Sequence, residues 1–389
     1  MNFNQNINYL ATTLQGLENV LENEIQNLGG KNTKVLRRAV SFEGDKKLLY
    51  KTNLHLRTAL KILKPFATFS AKDENELYDQ IKKIDWADIF NVDNTFMIDS
   101  VVNSKYFKHS KYVALKSKDA IVDYFRKKTG ERPSIDTTNP EFRINIHIYN
   151  DNITVSLDSS GESLHKRGYR IHQNIAPLNE VLAAGMILLS GWNGKSVLID
   201  PMCGSATILI EAAMIANDIP PGIFRKKFAF EEWKDFDNEI LNELLEEWEN
   251  KKFENIIIGA DISERAIINA KENIKNASLH KNIKTIIKSF EKFNPPNEQG
   301  VVIMNPPYGE RMKKSDIESF YSMIGERLKH NYSGYDVWIL SSNFGALKKI
   351  GLHPSKKMTL FNGPLECKFQ KFSIYEGSLK KRKQANTIN

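Results

Sequence analysis

The chain has 389 residues but only two cysteines, Cys203 and Cys367. Two thiols exclude a disulfide scaffold, and no Cys/His spacing suggests zinc, so no metal is expected. Both cysteines read as small buried residues in a reducing compartment. No apolar run approaches the ~18 residues of a membrane span. Met1 to Tyr9 is polar and Asn-rich, with neither a basic start nor an apolar core. A secretory signal is therefore not expected, and the expected location is cytoplasmic, with no membrane partner. Neither a G-x-G-x-x-G fingerprint nor a P-loop is present, which argues against a dinucleotide fold and a nucleotide triphosphatase. Internal repeats and low-complexity segments are also lacking.

What is there begins with Asn305-Pro306-Pro307-Tyr308, directly after the apolar run Val301-Val302-Ile303-Met304. The run reads as a buried strand. The four residues then lie at the carboxyl edge of a sheet, where open α/β sheets bind ligands. An exocyclic ring amine is a poor nucleophile, because its lone pair is delocalised into the ring. Acceptors on both of its hydrogens push density back onto nitrogen. The Asn305 side-chain oxygen and the Pro306 carbonyl can be those acceptors. Pro306 and Pro307 fix φ at about −65° and hold the carbonyls in place. Tyr308 offers a face on which a flipped base stacks. The plainer alternative is a structural Asn-Pro turn after a strand.

Two further strand ends carry acids. Ser196 to Asp200 is a short strand, followed by the loop Pro201-Met202-Cys203-Gly204-Ser205-Ala206-Thr207 and an apolar helix, Ile208 to Ala216. Small residues let a ligand approach the backbone, and the helix start favours a carboxylate or another anion. Ile256 to Ala260 is a second strand. It ends at Asp261, and Ile262 and Ser263 follow before a helix over 264–276. An acid at that position is placed to accept both hydroxyls of a ribose. Helix capping is the competing reading, with Ser263 as the cap.

Taken in order, these features resemble the class I S-adenosylmethionine-dependent methyltransferases of the amino-methylating branch. Leu164 to Arg170, Ala176 to Glu180, Asp200 to Ser205, Pro221-Gly222, Phe228 to Phe230 and Asn362 to Cys367 are similar to the THUMP-domain RNA guanine-N2 methyltransferases. Leu115 to Asp123 is similar to that family's THUMP helix. The resemblance covers about residues 5 to 376, and its nearest members act on bacterial large-subunit ribosomal RNA. It implies an α/β fold, with a Rossmann-like class I methyltransferase domain preceded by α+β ferredoxin-like and THUMP domains. It implies S-adenosyl-L-methionine as cofactor, held by Pro177, Asp200, Pro201, Cys203, Gly204, Ser205, Ala206, Thr207, Asp261, Ile262, Ser289, Phe290 and Asn305. Asn305, Pro306, Pro307 and Tyr308 carry the chemistry. One departure is the third strand, Thr285 to Lys288. It ends in Ser289-Phe290, where the class often has an acid for the adenine amino group. Larger bifunctional relatives carry a second methyltransferase domain, so a single methylation is expected here.

The net charge of +8 fits a nucleic-acid partner. Lys105, Lys108, Lys111, Lys116, Lys118, Arg126, Lys127, Lys128 and Arg132 crowd one stretch, with Tyr106, Phe107 and Tyr112 among them. Lysines position phosphates, and aromatics stack on unpaired bases. The five lysines from Lys105 to Lys118 are the expected RNA contacts, with a merely solvated helix face as the alternative.

Periodicity predicts strands at 8–12 and 34–42 and helices at 14–28 and 53–63, a ferredoxin-like unit over 1–66. A THUMP domain is expected over 67–160, with helices at 70–84 and 116–129, a strand at 95–103 and a hairpin over 142–157. The methyltransferase domain is expected over 161–376 as alternating strands and helices, hence a mostly parallel sheet. Residues 217–252 read as an insertion forming a wall or lid over the substrate. The basic tail, 377–389, reads as disordered. Guanine N2 in ribosomal RNA, 23S above all, is the expected target. Transfer RNA is an alternative, as are a DNA adenine-N6 methyltransferase and a noncatalytic RNA-binding protein.

Overall fold

A computed structural model describes residues 7–171, 178–248, 251, 253–309 and 313–375. Pro177 and the tail from 377 lie outside the described residues. The chain forms two compact units. The first holds 7–13, 21–166 and 225–248; the second holds 14–20, 167–224 and the residues from 249 on.

The first unit opens with β1 (Ile7–Thr13), α1 (Glu18–Asn27), β2 (Lys31–Leu36), β3 (Ala39–Gly44), α2 (Lys46–His55) and β4 (Ala59–Ser70). This is the expected split βαβ pattern, although two of its parts differ from the reading. The single strand over 34–42 is a hairpin, turning at Arg37-Arg38 with Arg38 at φ 58°. The helix expected over 53–63 lies earlier, because Asp45 caps it through the Leu48 N–H, and Ala59 begins a strand. The unit continues with α3 (Glu74–Lys83), β5 (Thr95–Asn103), α4 (Ser110–Thr129), β6 (Ser134–Ile135), β7 (Phe142–Tyr149) and β8 (Asn152–Asp158). All eight strands share one sheet, in the order β2-β3-β1-β4-β8-β7-β5-β6. Residue 66 thus lies inside β4, which pairs with β1 through its first half and with β8 through its second.

The second unit contains α5 (Glu180–Ser190), β9 (Val197–Asp200) and α6 (Thr207–Ala216). The chain then passes through α7 (Asn238–Glu246), which belongs to the first unit. It continues as β10 (Ile257–Asp261), α8 (Glu264–Asn276), β11 (Ile283–Ile287), β12 (Gly300–Met304), α9 (Lys314–Asn331), β13 (Asp336–Ser341), α10 (Phe344–Lys349), β14 (Lys356–Asn362) and β15 (Leu365–Ser373). The sheet order is β11-β10-β9-β12-β13-β15-β14, with β15 and β14 antiparallel. Consecutive residues of β9 and β12, Leu198 with Ile199 and Val302 with Ile303, are all buried. Burial on both faces is what a parallel sheet between helix layers requires. Strand order reverses between β9 and β12, so the ligand crevice of such a sheet opens at their carboxyl ends.

Of the expected 217–252 insertion, residues 225–248 pack within the first unit. Phe228, Phe230 and Trp233 are buried in the first unit's core, with Phe230 stacked on Tyr50 at 4.1 Å. Lys47 on α2 pairs at 3.1 Å with Glu243 of α7 and at 2.8 Å with Glu247, which follows that helix. The acidic stretch thus answers a basic helix of its own unit.

Candidate functional site

Three neighbouring strand ends of the second unit carry the sequence-predicted residues. β9 ends at Asp200, β10 at Asp261, and Asn305 follows β12. The loop after β9 is tied to β10 twice: Cys203 N–H donates to the Ala260 carbonyl at 2.9 Å, and Gly204 N–H to Asp261 Oδ2 at 2.9 Å. Gly259 permits this approach. A Cβ there would lie 2.3 Å from Leu209 and 3.1 Å from the Cys203 sulfur.

Ala206 sits at φ 69°, a left-handed conformation that a non-glycine residue adopts at a cost. It occupies the N-cap of α6, and no side chain caps that helix. The first N–H groups of α6 are consequently left for a ligand, and the helix dipole favours a carboxylate there. Asp200 is buried, accepting one bond from the Met202 N–H at 3.1 Å. Burial pushes its pKa up to about 8, and the nearby Asp261 adds to the effect. Cys203 is raised well above an ordinary thiol by burial and by the two aspartates, which disfavours the thiolate a nucleophile needs.

At the end of β10, Asp261 is partly exposed, and its Oδ1 accepts the Ser263 N–H. Ser263 caps α8 through Ala266, so the capping role belongs to the serine. Ile262 is 75% exposed, a large apolar side chain with a free face beside the acid. Phe290 is turned inward and stacks on Tyr332 at 5.7 Å, and Ser289 beside it is half-buried. These features fit S-adenosylmethionine: an uncapped helix start for its carboxylate, a buried acid for its ammonium, a carboxylate for its ribose and an apolar face for its adenine.

The Asn305–Tyr308 turn is held from behind. Tyr321 on α9 donates to the Pro307 carbonyl at 3.3 Å and is bonded to Ser341 at 2.8 Å. Asn343, after β13, donates to the Tyr308 carbonyl at 3.0 Å. Pro306 is buried, and among the described residues no protein donor takes its carbonyl. The Tyr308 hydroxyl donates to Asn305 Oδ1 at 2.5 Å, and the Cys367 sulfur lies 3.9 Å from that hydroxyl. Asn305 Oδ1 keeps a second lone pair for a substrate N–H. Cys367 belongs to β15, so the Asn362–Cys367 motif is the hairpin between β14 and β15. Tyr321, Ser341 and Asn343 were not picked out from sequence; nothing local marks a residue that touches the turn only through the fold.

The expected RNA residues fall in the first unit. Lys105 and Lys108 lie in the loop after β5, and Lys111, Lys116 and Lys118 lie on α4. Lys105 and Lys116 rest over the rings of Tyr106 and Tyr78 at 5.0 Å. Lys118 is paired with Asp119 at 2.6 Å. Phe107 is 1% exposed and packs in the core, so it cannot stack on a base; Tyr112 is exposed and can. Tyr78, Lys116, Arg126 and Arg132 line an open cavity of about 740 Å³.

Comparison with known proteins agrees with this architecture. Residues 167–371 match the RMKL-like methyltransferase domain, 71–158 the THUMP domain and 8–63 the RlmL ferredoxin-like domain. The ribosomal RNA large subunit methyltransferase K/L of Marinomonas sp. is 37% identical over 385 residues, 96% of this chain and 53% of that protein. The chain thus spans about half the length of that relative. It aligns with 97% of slr0064 of Synechocystis sp., named as a candidate RNA methyltransferase, at 37% identity over 94% of this chain. Among solved structures, SMU.472, a candidate methyltransferase complexed with SAH, superposes with a TM-score of 0.84 at 30% identity, covering 96% of this chain and 100% of that one. Among the described residues no helix is long and apolar enough to cross a membrane. With more than half its length inside the profile and a relative matched nearly end to end, the chain belongs to the RMKL-like methyltransferase family, with THUMP and ferredoxin-like regions ahead of the methyltransferase domain.

Proposed function

We propose that the protein methylates the exocyclic N2 amine of a guanine in RNA, with 23S ribosomal RNA as the substrate. The observation that carries this reading is the pair of acceptors after β12. Asn305 Oδ1 and the Pro306 carbonyl, which no described protein donor takes, suit the two hydrogens of a planar amine, while neighbouring carbonyls are already engaged by Tyr321 and Asn343. The THUMP region and the relatives named for large-subunit ribosomal RNA support RNA as the partner.

S-adenosylmethionine, when bound, supplies an electrophilic methyl group on a sulfonium. The chain's own part is orientation. Asp200 and the start of α6 hold the methionine end, and Asp261 and Ile262 hold the nucleoside. Asn305 and Pro306 aim the amine nitrogen by accepting its hydrogens, which leaves its lone pair directed away from the turn. Proximity of this kind supplies much of a transfer reaction's acceleration. Tyr308 then stacks on a base taken out of its helix. We place the enzyme in the cytoplasm, with ribosomal RNA or its precursor particle.

The test is incubation of the purified protein with S-adenosylmethionine and ribosomal RNA from a strain lacking the gene, followed by nucleoside mass spectrometry. N2-methylguanosine is the expected product. N6-methyladenosine, or modification of transfer RNA alone, would replace the proposal with one of its rivals. Asn305→Ala should abolish the product.

A further inference from the structure

The segment just before the second unit's first helix carries buried charges that the site described above does not use. Arg167 pairs with Glu211 at 3.4 Å, and these side chains are 2% and 0% exposed. The Tyr169 hydroxyl donates to the same Glu211 oxygen at 3.1 Å. Arg170 reaches three elements through one nitrogen. Its Nη2 pairs with Glu180 of α5 at 3.2 Å, donates to the Leu178 carbonyl at 3.0 Å, and donates to Thr207 Oγ1 at 2.8 Å. Ile171 N–H donates to Asn273 of α8, whose amide donates to the Ser205 carbonyl. The strap 167–171 is thus tied to Thr207, the first residue of α6, and through Asn273 to Ser205 in the loop before it.

Buried ion pairs are a poor way to gain stability, because desolvation offsets their attraction. Here the bonding is also incomplete: Arg170 Nε and Glu211 Oε2 are buried without a hydrogen-bond partner. The arrangement does, however, fix a backbone that needs fixing. Ala206 is held left-handed and α6 has no capping side chain. Thr207, the first residue of that helix, is pinned by Arg170. The Arg170 Nη2 that meets Thr207, Leu178 and Glu180 is carried on a rigid planar group, whereas a lysine stem of different length and greater freedom would not place its ammonium at the same point.

We propose that Arg170 is a positioning residue for the cofactor loop. It anchors Thr207 to Glu180 and thereby sets the affinity for the methionine end of the cofactor. This rests on the reading of Asp200–Thr207 as the methionine pocket.

The experiment is titration of the full chain with S-adenosylhomocysteine by calorimetry, together with kcat and KM for S-adenosylmethionine. Arg170→Lys and Arg170→Met are each compared with the wild type. Arg170→Met should weaken S-adenosylhomocysteine binding by about tenfold or more and raise KM, with kcat at saturating cofactor nearly unchanged. Arg170→Lys should recover part of the loss. A double-mutant cycle with Thr207→Val should show that the second substitution costs less once the first is present. Strictly additive losses, or an unchanged affinity in a folded Arg170→Lys or Arg170→Met protein, would overturn the inference and leave the methionine pocket standing. Failure of the wild type to bind S-adenosylhomocysteine would overturn the pocket itself. If Arg170→Met does not fold, Arg170→Lys and the cycle built on it decide the matter.

Discussion

An aspartate that is 2% exposed and accepts one backbone N–H keeps little of the hydration that stabilises a carboxylate. Burial puts the Asp200 pKa at about 8, against 3.8 in the open chain. Between those values the folded protein holds a proton that the unfolded chain has released. Stability from this group is therefore full below pH 3.8 and is lost progressively as pH rises towards 8. A bound ammonium reverses the preference and draws the proton off. Cofactor binding at pH 7 should release roughly one proton, read as a calorimetric enthalpy that varies with the buffer's ionisation heat. Asp200→Asn should remove that dependence, and a wild-type enthalpy independent of buffer would take Asp200 out of the site. Asp261 is a different case, a partly exposed carboxylate holding the Gly204 and Ser263 N–H groups. Asp261→Ala should weaken S-adenosylmethionine binding by roughly 1.5–3 kcal/mol, the range for bonds to a charged group. An unchanged dissociation constant would dismiss the ribose role.

The secondary elements show which features the sequence discloses. The strands ending at Asp200 and Asp261 and the one before Asn305 were legible because each is a short apolar run closed by a polar residue. Their pairing into a sheet followed from the alternation of strands and helices. The β2–β3 hairpin was not legible, because Arg37-Arg38 lacks the Asn or Gly that marks a tight turn. β14 was missed for want of apolar alternation in Lys356-Lys357-Met358-Thr359, and α10 because six residues carry too little periodicity. The tie between Arg170 and Thr207 joins residues 37 positions apart, which no local pattern can reveal. Close strand approach is equally hidden. A Cβ on Gly300 would lie 2.4 Å from the Val197 carbonyl oxygen, so at this one position β12 meets β9 at a distance that only glycine allows. The obstacle is backbone and cannot rotate away. Gly300→Ala should cost about 1–3 kcal/mol, the scale of overpacking, measured by urea unfolding. A wild-type midpoint would show that the β9–β12 pair can spread without loss.

At the scale of the whole molecule, the two units differ in the groups they carry. The groups assigned to cofactor and amine belong to the second unit, and the basic stretch after β5 belongs to the first. Within that stretch the lysines are not equivalent. Lys118 is neutralised by Asp119 and Arg126 by Asp123 at 2.7 Å. Lys105, Lys108 and Lys111 are exposed, and among the described residues none of them forms an ion pair. Unpaired exposed lysines give up least when they exchange water and counterions for phosphate. The release of those counterions makes binding fall with salt, and each lost phosphate contact flattens the logarithmic slope by about 0.7–0.9. Reversing Lys105, Lys108 and Lys111 to Glu should therefore raise the RNA dissociation constant at low salt and flatten the slope by about 2, measured by anisotropy across a salt series. The affinity for S-adenosylhomocysteine should stay at the wild-type value, since none of the three belongs to the unit that holds the cofactor groups. RNA affinity and salt slope both unchanged would move the docking surface elsewhere. A parallel loss of cofactor affinity would mean that the charges act on the fold rather than on RNA.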